Sequence, residues 1–283
     1  MLTETVLNAA VLGSPVAHSL SPVLHGAAYR TLGLTRWRYA AHEVDEAAFL
    51  PFVAGLDETW RGLSLTMPLK EVGFDVAADV SPTARATGSV NTLVRRETGQ
   101  WDAHNTDVHG IVAALSGATS PRPTTDGVGS ATVLGSGATA RSAVAALARL
   151  GVSRVRLAVR ASARASTVRL AADLGVTVEQ VPLWDWAVGE SPGEPALVVS
   201  TLPPAAGGAA AEAIRGRNLS GTLLDVVYAG WPTPLARAAA AAGMDVVSGL
   251  DMLVHQAGEQ VRLMTGHEAP LEAMFAAARE AVG

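Results

Sequence analysis

Two short polar segments interrupt an otherwise apolar chain: SLTMPLK (Ser64–Lys70) and HNTDVHG (His104–Gly110). Between them they offer one lysine, Lys70, and one carboxylate, Asp107. A Lys/Asp pair withdrawn from water can handle the proton that is released when a hydroxyl is oxidised and taken up when a ketone is reduced. Taken singly, each residue carries little. A lone lysine is usually solvated, and an aspartate in such a segment usually serves turn chemistry.

HSLSP (His18–Pro22) adds Ser19 and Ser21. Hydroxyls two residues apart on an extended segment point the same way and can grip a polyhydroxylated ligand. The competing reading is that Ser21 caps a helix whose first position is Pro22. Thr66 and Lys70 flank Pro68 at the carboxyl end of an apolar strand, where open α/β sheets bind ligands. GSVNT (Gly88–Thr92) and HNTD contribute Asn91 and Asn105, each of which alone also suits a turn.

A third chemical signal is GSGATARSA (Gly135–Ala143), which follows an apolar strand and opens an Ala-rich helix. Gly135 permits a tight turn, Gly137 lets the backbone approach a pyrophosphate, and Ala140 stands where a third glycine is usual. The helix start then offers free N–H groups and the positive end of its dipole. The plain alternative is an ordinary strand–turn–helix corner. The next strand ends near Arg160, in AVRASARAS, with Arg160 and Arg164 and no acid nearby. An NAD site wants a carboxylate there for the ribose, whereas a guanidinium pairs with a 2′-phosphate. The residues therefore favour NADP over NAD, unless both arginines are merely solvated.

The elements that must position these groups follow from periodicity. Strands are expected at Val6–Leu12, Trp37–His42, Gly62–Thr66 and Ser89–Arg95, with helices over Pro22–Leu32 and Ala47–Leu56. This alternation predicts an α/β layer with a largely parallel sheet. Ser116–Ser130 is rich in Ser, Thr, Gly and Pro and reads as a surface loop into a new unit. From Ala131 the pattern restarts, with strands at ATVLG, Val155–Val159, Ala196–Ser200 and Leu223–Val227. Closing helices are expected over Gly249–Thr265 and Leu271–Val282. The fold class is thus α/β in two domains.

Composition bounds the rest. The 283 residues suffice for two cores. With 49% hydrophobic and 17% charged residues, the chain reads as globular. No apolar run approaches a membrane span, and the first residues have no positive region of a secretory signal. No membrane partner is expected. A net charge of −5 without a basic block argues against nucleic acid. The histidines show no ligand spacing, so no metal is expected. The absence of cysteine excludes disulfides and thiolate chemistry and is compatible with a cytoplasmic location.

Taken together and in order, these segments resemble the shikimate dehydrogenase family. HSLSP resembles its Ser-x-Ser-Pro segment, SLTMPLK its Asn-Val-Thr-x-Pro-x-Lys, GSVNT its Gly-Ala-Val-Asn-Thr, and HNTDVHG its Asn-Thr-Asp-x-x-Gly. GSGATAR is similar to Gly-x-Gly-Gly-x-x-Arg, DVVYAGWPTPL (Asp225–Leu235) to Asp-x-x-Tyr-x-Pro-x-x-Thr-Pro-Leu, and GLDMLVHQA (Gly249–Ala257) to Gly-Leu-x-Met-Leu-x-x-Gln-Ala.

The resemblance implies reversible NADP-dependent interconversion of 3-dehydroshikimate and shikimate. Lys70 becomes the acid/base, with Asp107 beside it as an orienting carboxylate. Ser19, Ser21, Thr66, Asn91, Asp107, Tyr228 and Gln256 become substrate contacts. Gly135, Ser136, Gly137, Ala138, Thr139, Arg160, Val226 and Gly249 map to the cofactor. It also implies an N-terminal substrate domain (1–107 plus 245–283, completed by the returning C-terminal helices) and a Rossmann-like NADP-binding domain (108–244), in a monomer or homodimer. The chain departs from the family pattern at Ser64 and Leu65, at Ala138, at Gly230 in place of proline, at Val159 and Ala161 around Arg160, and at STLPP (Ser200–Pro204). Quinate or aminoshikimate dehydrogenase, and an idle NADP-binding sensor on the same fold, are the neighbouring alternatives.

Overall fold

A computed structural model describes residues 5–118, 129–187 and 196–282. The chain forms two compact units. One comprises residues up to Thr106 together with those from Val254 onward, and the other runs from Asp107 to Leu253.

The first unit is built on a six-stranded sheet of β1 (Leu7–Gly13), β2 (Trp37–Glu43), β3 (Trp60–Leu65), β4 (Ala77–Val80), β5 (Thr92–Arg95) and β6 (Trp101–His104), ordered β2-β1-β3-β5-β6-β4. Helices α1 (Ser21–Thr31), α2 (Glu46–Ala54) and α3 (Pro82–Thr87) connect them. The sheet is largely parallel, as expected, with one strand reversed: β5 runs antiparallel to both β3 and β6. The reason is local. Residues 96–100 form a tight reversal closed by Arg96 N–H donating to the Gln100 carbonyl at 2.8 Å. Strands joined by so short a turn can only pair antiparallel. The strand expected from Ser89 accordingly begins at Thr92, and β6 was not visible as a strand because HNTD ends it after four residues. Leu12, Leu63, Leu65, Leu93 and Trp101 bury one face of this sheet against Phe49 and Val53 of α2.

The second unit opens with α4 (Asp107–Ala118). The loop expected over Ser116–Ser130 shrinks at both ends, since 116–118 continue α4 and Ser130 opens β7; residues 119–128 lie outside the described residues. Its sheet comprises β7 (Ser130–Leu134), β8 (Arg154–Val159), β9 (Thr177–Pro182), β10 (Ala196–Ser200), β11 (Gly221–Asp225) and β12 (Asp245–Ser248), ordered β12-β11-β10-β7-β8-β9. Every pairing is parallel. Helices α5 (Ala138–Arg149), α6 (Ala165–Asp173), α7 (Gly207–Glu212) and α8 (Pro234–Ala242) link the strands. This is the doubly wound order that reverses direction between the first and fourth strands, here β7 and β10.

Side chains alternate across this sheet. Val133, Leu157, Val199 and Leu224 enter one core, while Leu134, Ala158, Val198 and Leu223 enter the other. That explains why these strands read as continuous apolar runs. The expected division assigned 245–253 to the first domain, but β12 pairs with β11 and the second unit extends to Leu253.

Helix α9 (Gly249–Thr265) starts at the end of β12, and α10 (Leu271–Val282) packs on α1 in the first unit. Gly249 is required by space: a Cβ there would lie 2.2 Å from the Val226 carbonyl oxygen. By contrast, nothing lies within 4 Å of a Cβ built at Gly137.

On the α1 side of the first sheet, His25 is wholly buried. Its ring stacks on Tyr39 at 3.9 Å between centroids, and its Nε2 lies 3.3 Å from Gln260 Oε1. Burial lowers its pKa from 6.5 to about 3, and the Gln260 hydrogen bond offsets only part of this.

Two predictions follow from this packing. Below about pH 6.5 the unfolded chain binds a proton at His25 that the folded chain refuses, so stability is full above that pH and is lost below it at about 1.4 kcal/mol per unit. Urea unfolding at about pH 7 and about pH 5 should show the parent losing about 2 kcal/mol more than His25→Phe. Equal losses would mean that His25 titrates freely in the fold. Gly249→Ala should lower the thermal midpoint, by about 1–3 kcal/mol of overpacking, while Gly137→Ala leaves it nearly unchanged. Matching midpoints would remove the close approach as a constraint.

Candidate active site

The polar residues of the first unit lie where the carboxyl ends of β3 and β6 meet α9. Thr66 is held at the end of β3 by its N–H, which donates to the Leu12 carbonyl at 2.9 Å, and its own carbonyl accepts from Leu69 N–H at 2.8 Å. The turn thus formed ends on Lys70, whose carbonyl accepts from Val90 N–H at 2.7 Å. Lys70 and Asn91 therefore sit on adjoining stretches of backbone. Lys70 is half-buried and Asn91 is buried.

Asn91 is the centre of a buried cluster. Its Oδ1 accepts from Thr106 N–H at 2.8 Å and from Thr92 Oγ1 at 2.9 Å. Its Nδ2 donates to Thr106 Oγ1 at 2.9 Å and to Gln256 Oε1 at 3.2 Å. Asn91 and Gln256, expected to share a ligand, are thus brought together, with Thr106 between them. Gln260, one turn further along α9, donates from Nε2 to Thr92 Oγ1 at 3.0 Å. Thr106 and Gln260 were not singled out from the sequence. The available signals were the position of Thr106 inside HNTD and the four-residue spacing of the two glutamines, which puts them on one helix face. Asn105 has a scaffolding task, donating to Thr87 Oγ1 and the Ser89 carbonyl, both at 3.0 Å.

Ser19 and Ser21 also come together, their hydroxyl oxygens 3.2 Å apart. The segment is a turn and not the extended run expected. Leu20 between them has φ −81° and ψ −5°, and Ser19 Oγ accepts from Ser21 N–H at 3.3 Å. Ser21 does not cap α1: the cap position falls on Leu20, without a side-chain bond, and Ser21 is the first helical residue. The Ser21 hydroxyl is thereby released from capping, while that of Ser19 bonds the first N–H of the helix. Asp107 is buried at 3% exposure and is the first residue of α4, in the second unit. A carboxylate there meets the positive end of the helix dipole.

The second unit carries the nucleotide-type turn. Gly135 has φ +107°, and a Cβ there would fall 2.6 Å from Thr201 Oγ1, so only glycine fits. Gly137 precedes α5, no side chain caps the helix, and the space above it is open. Ser136, Ala138 and Thr139 complete the turn and are half-buried. Ser136 Oγ accepts from Arg164 N–H at 3.2 Å, and its carbonyl accepts from Thr167 Oγ1 at 2.8 Å. The arginine-bearing segment after β8 is therefore tied to the turn, with Arg160 and Arg164 exposed. An uncapped helix start at the β7/β10 switch point, tied to a segment that carries two arginines, suits a phosphorylated dinucleotide.

Val226 and Tyr228 ride on the loop after β11. Asp225 closes that loop, its Oδ2 accepting from Thr233 Oγ1 at 2.7 Å and its Oδ1 from Val227 N–H at 3.4 Å. Burial pushes the Asp225 carboxyl above its ordinary pKa, and these hydrogen bonds oppose the shift. The Val226 carbonyl is the group pressed against Gly249. The positions matched to the cofactor thus constrain one another directly.

Among the described residues no helix is long and apolar enough to cross a membrane, and no group of three or more His, Cys, Asp or Glu could hold a metal ion.

Comparison with known proteins agrees with this architecture. Residues 11–93 match the shikimate dehydrogenase substrate-binding domain, and residues 249–279 match the shikimate 5′-dehydrogenase C-terminal domain. A shikimate dehydrogenase (NADP⁺) of Methylobacterium radiotolerans is 38% identical over 250 residues, covering 87% of each chain. The crystal structure of Mycobacterium tuberculosis shikimate dehydrogenase is 41% identical with a TM-score of 0.79, over 97% of this chain and 99% of that one. That of Thermus thermophilus shikimate 5-dehydrogenase, in complex with NADP(H) and shikimate, is 32% identical with a TM-score of 0.78, over 98% of this chain and 100% of that one. A mixed-sheet unit with a buried Asn–Thr–Gln cluster, a doubly wound unit with a glycine turn, and relatives matched nearly end to end lead to one conclusion: this chain belongs to the shikimate dehydrogenase family.

Proposed function

We propose that the protein catalyses the reversible, NADP-dependent reduction of 3-dehydroshikimate to shikimate. The observation that carries this reading is the buried Asn91–Thr106–Gln256 cluster beside Lys70, in a chain 38% identical to an NADP-dependent shikimate dehydrogenase. Bound NADP supplies the hydride acceptor for the carbinol carbon, or the donor in the reverse direction. Lys70 Nζ, in its neutral form, takes the hydroxyl proton during oxidation and returns it during reduction. Asp107 accepts a hydrogen bond from a ring hydroxyl and orients both substrate and lysine.

Ser19 and Ser21, as adjacent neutral donors, bind the substrate carboxylate, and Thr66, Asn91, Tyr228 and Gln256 read the remaining hydroxyls. Gly135 to Thr139 receive the pyrophosphate, Arg160 the 2′-phosphate, and Val226 and Gly249 form apolar and backbone contacts with the cofactor. Positioning of the carbinol carbon supplies much of the remaining acceleration. A cytoplasmic monomer or homodimer belongs to the same reading, and the cysteine-free composition is compatible with a reducing compartment.

Absorbance at the nicotinamide band, with shikimate and quinate each crossed with NADP and NAD, tests the assignment. Shikimate with NADP should turn over fastest. In that assay Lys70→Ala should lower kcat by about 10²–10⁴-fold with little change in shikimate KM. Activity with none of the four pairs overturns the reading, and normal turnover by the variant removes Lys70 from it. Arg160→Ala should raise the KM for NADP by about tenfold and leave NAD use nearly unchanged, as expected for the loss of a charged hydrogen bond to phosphate. Equal effects on both cofactors would refute the 2′-phosphate role.

A further inference from the structure

We infer that Gln260 is a positioning residue for the substrate: its buried carboxamide fixes the direction of the hydrogen bonds that orient Asn91 and, through Asn91, Gln256. The inference rests on the reading of Asn91 as a substrate contact. Gln260 is 1% exposed and lies one turn beyond Gln256 on α9. Both ends of its amide are engaged. Nε2 donates to Thr92 Oγ1 at 3.0 Å and to the Asn91 carbonyl at 3.3 Å. Oε1 accepts from Ser64 Oγ at 2.9 Å and faces His25 Nε2 at 3.3 Å.

The orientation of this amide follows from one group that can only accept. The Asn91 backbone carbonyl has no hydrogen to give, so the Gln260 NH2 must face it, and Oε1 must face Ser64 and His25. The ring hydrogen of His25 therefore sits on Nε2. The Ser64 hydroxyl turns its hydrogen to Gln260 and accepts from the Tyr39 phenol at 2.6 Å. Tyr39 lies on β2 and Ser64 on β3, with β1 between them, so the phenol reaches across a strand. Ser64 sits where the family resemblance has asparagine, and its hydroxyl is engaged on both sides by this network.

The same polarity runs on into the site. With its oxygen accepting from Gln260 Nε2, the Thr92 hydroxyl turns its hydrogen to Asn91 Oδ1 at 2.9 Å. Thr106 N–H reaches the same oxygen at 2.8 Å. Asn91 Nδ2 is thereby turned to Thr106 Oγ1 and to Gln256 Oε1, and Gln256 is held with its oxygen inward. The backbone at residue 91 is secured independently. Its N–H donates to the His104 carbonyl at 3.1 Å, and its carbonyl also accepts from Leu65 N–H at 2.8 Å. Loss of Gln260 therefore loosens the side-chain amide of Asn91 before it loosens the chain. An amide already held in its binding orientation meets a ligand without ordering its own rotamer.

Steady-state kinetics and thermal midpoints of Gln260→Met, Asn91→Ala and the double variant form the test. Thr92→Val, alone and with Asn91→Ala, is the milder cut: it removes only the hydroxyl between Gln260 and the Asn91 side chain, and it decides the matter if Gln260→Met does not fold. Gln260→Met and Thr92→Val should each raise the shikimate KM by about three- to tenfold, the worth of one hydrogen bond, with kcat and the KM for NADP within about twofold of the parent. Asn91→Ala should raise the shikimate KM as well. Adding either of the other substitutions to it should raise that KM no further, because both act through Asn91. A lowered midpoint with an unchanged shikimate KM, or effects that multiply in the double variants, overturns the inference while leaving Asn91 in place. An unchanged KM for Asn91→Ala overturns the reading of Asn91 and the role of Gln260 together.

Discussion

The polar site of the first unit depends on one buried carboxamide, that of Asn91. Both ends of the amide are engaged: Oδ1 by Thr106 N–H and Thr92 Oγ1, Nδ2 by Thr106 Oγ1 and by Gln256, 165 positions away along the chain. An amide left without partners in such surroundings costs about 1–3 kcal/mol, so these segments can become dry only when all of them arrive. Assembly of the site is thereby part of folding the unit. The same requirement explains why α9, encoded far from the sheet, is placed so that two glutamines face it.

The second unit is constrained by the opposite means. Its constraints come from side chains that are missing: the positive φ at Gly135, the open space above Gly137, and the contact of Gly249 with the Val226 carbonyl. Small residues along α5 bring that helix close to the sheet, with Ala140, Ala143 and Ala146 fully buried. Asp225 and Thr233 close the intervening loop with a single charged hydrogen bond. A surface made of backbone depends on such spacing, since backbone groups cannot adjust as side chains do.

Much of this was legible in the sequence, and for definite reasons. The four central strands of the second sheet read clearly because parallel strands buried on both faces are continuous apolar runs such as ALVVS and GTLLD, whereas the edge strands β9 and β12, more exposed, were not expected. The glycine turn reads clearly because its chemistry is local. Strand β6 was hidden, since a strand of four residues carries almost no periodicity. Ser21 was ambiguous because cap and ligand contact demand the same residue type, and only the dihedrals of Leu20 separate them. Thr106 and Gln260 were unreadable for another reason: each bonds a partner distant in sequence, and pattern within a segment says nothing about register between segments.

The path of the Tyr39 phenol to Ser64 has a consequence for an apolar residue of β1. To reach Ser64 the ring must cross β1, where its register partner is Ala9, buried at 1% exposure. An interior strand position favours valine or isoleucine over alanine. Strand preference and the corridor for the phenol therefore pull in opposite directions at position 9. The methyl group found there leaves the corridor open, so an apolar residue at the heart of the sheet decides whether two polar side chains on strands either side of it can meet.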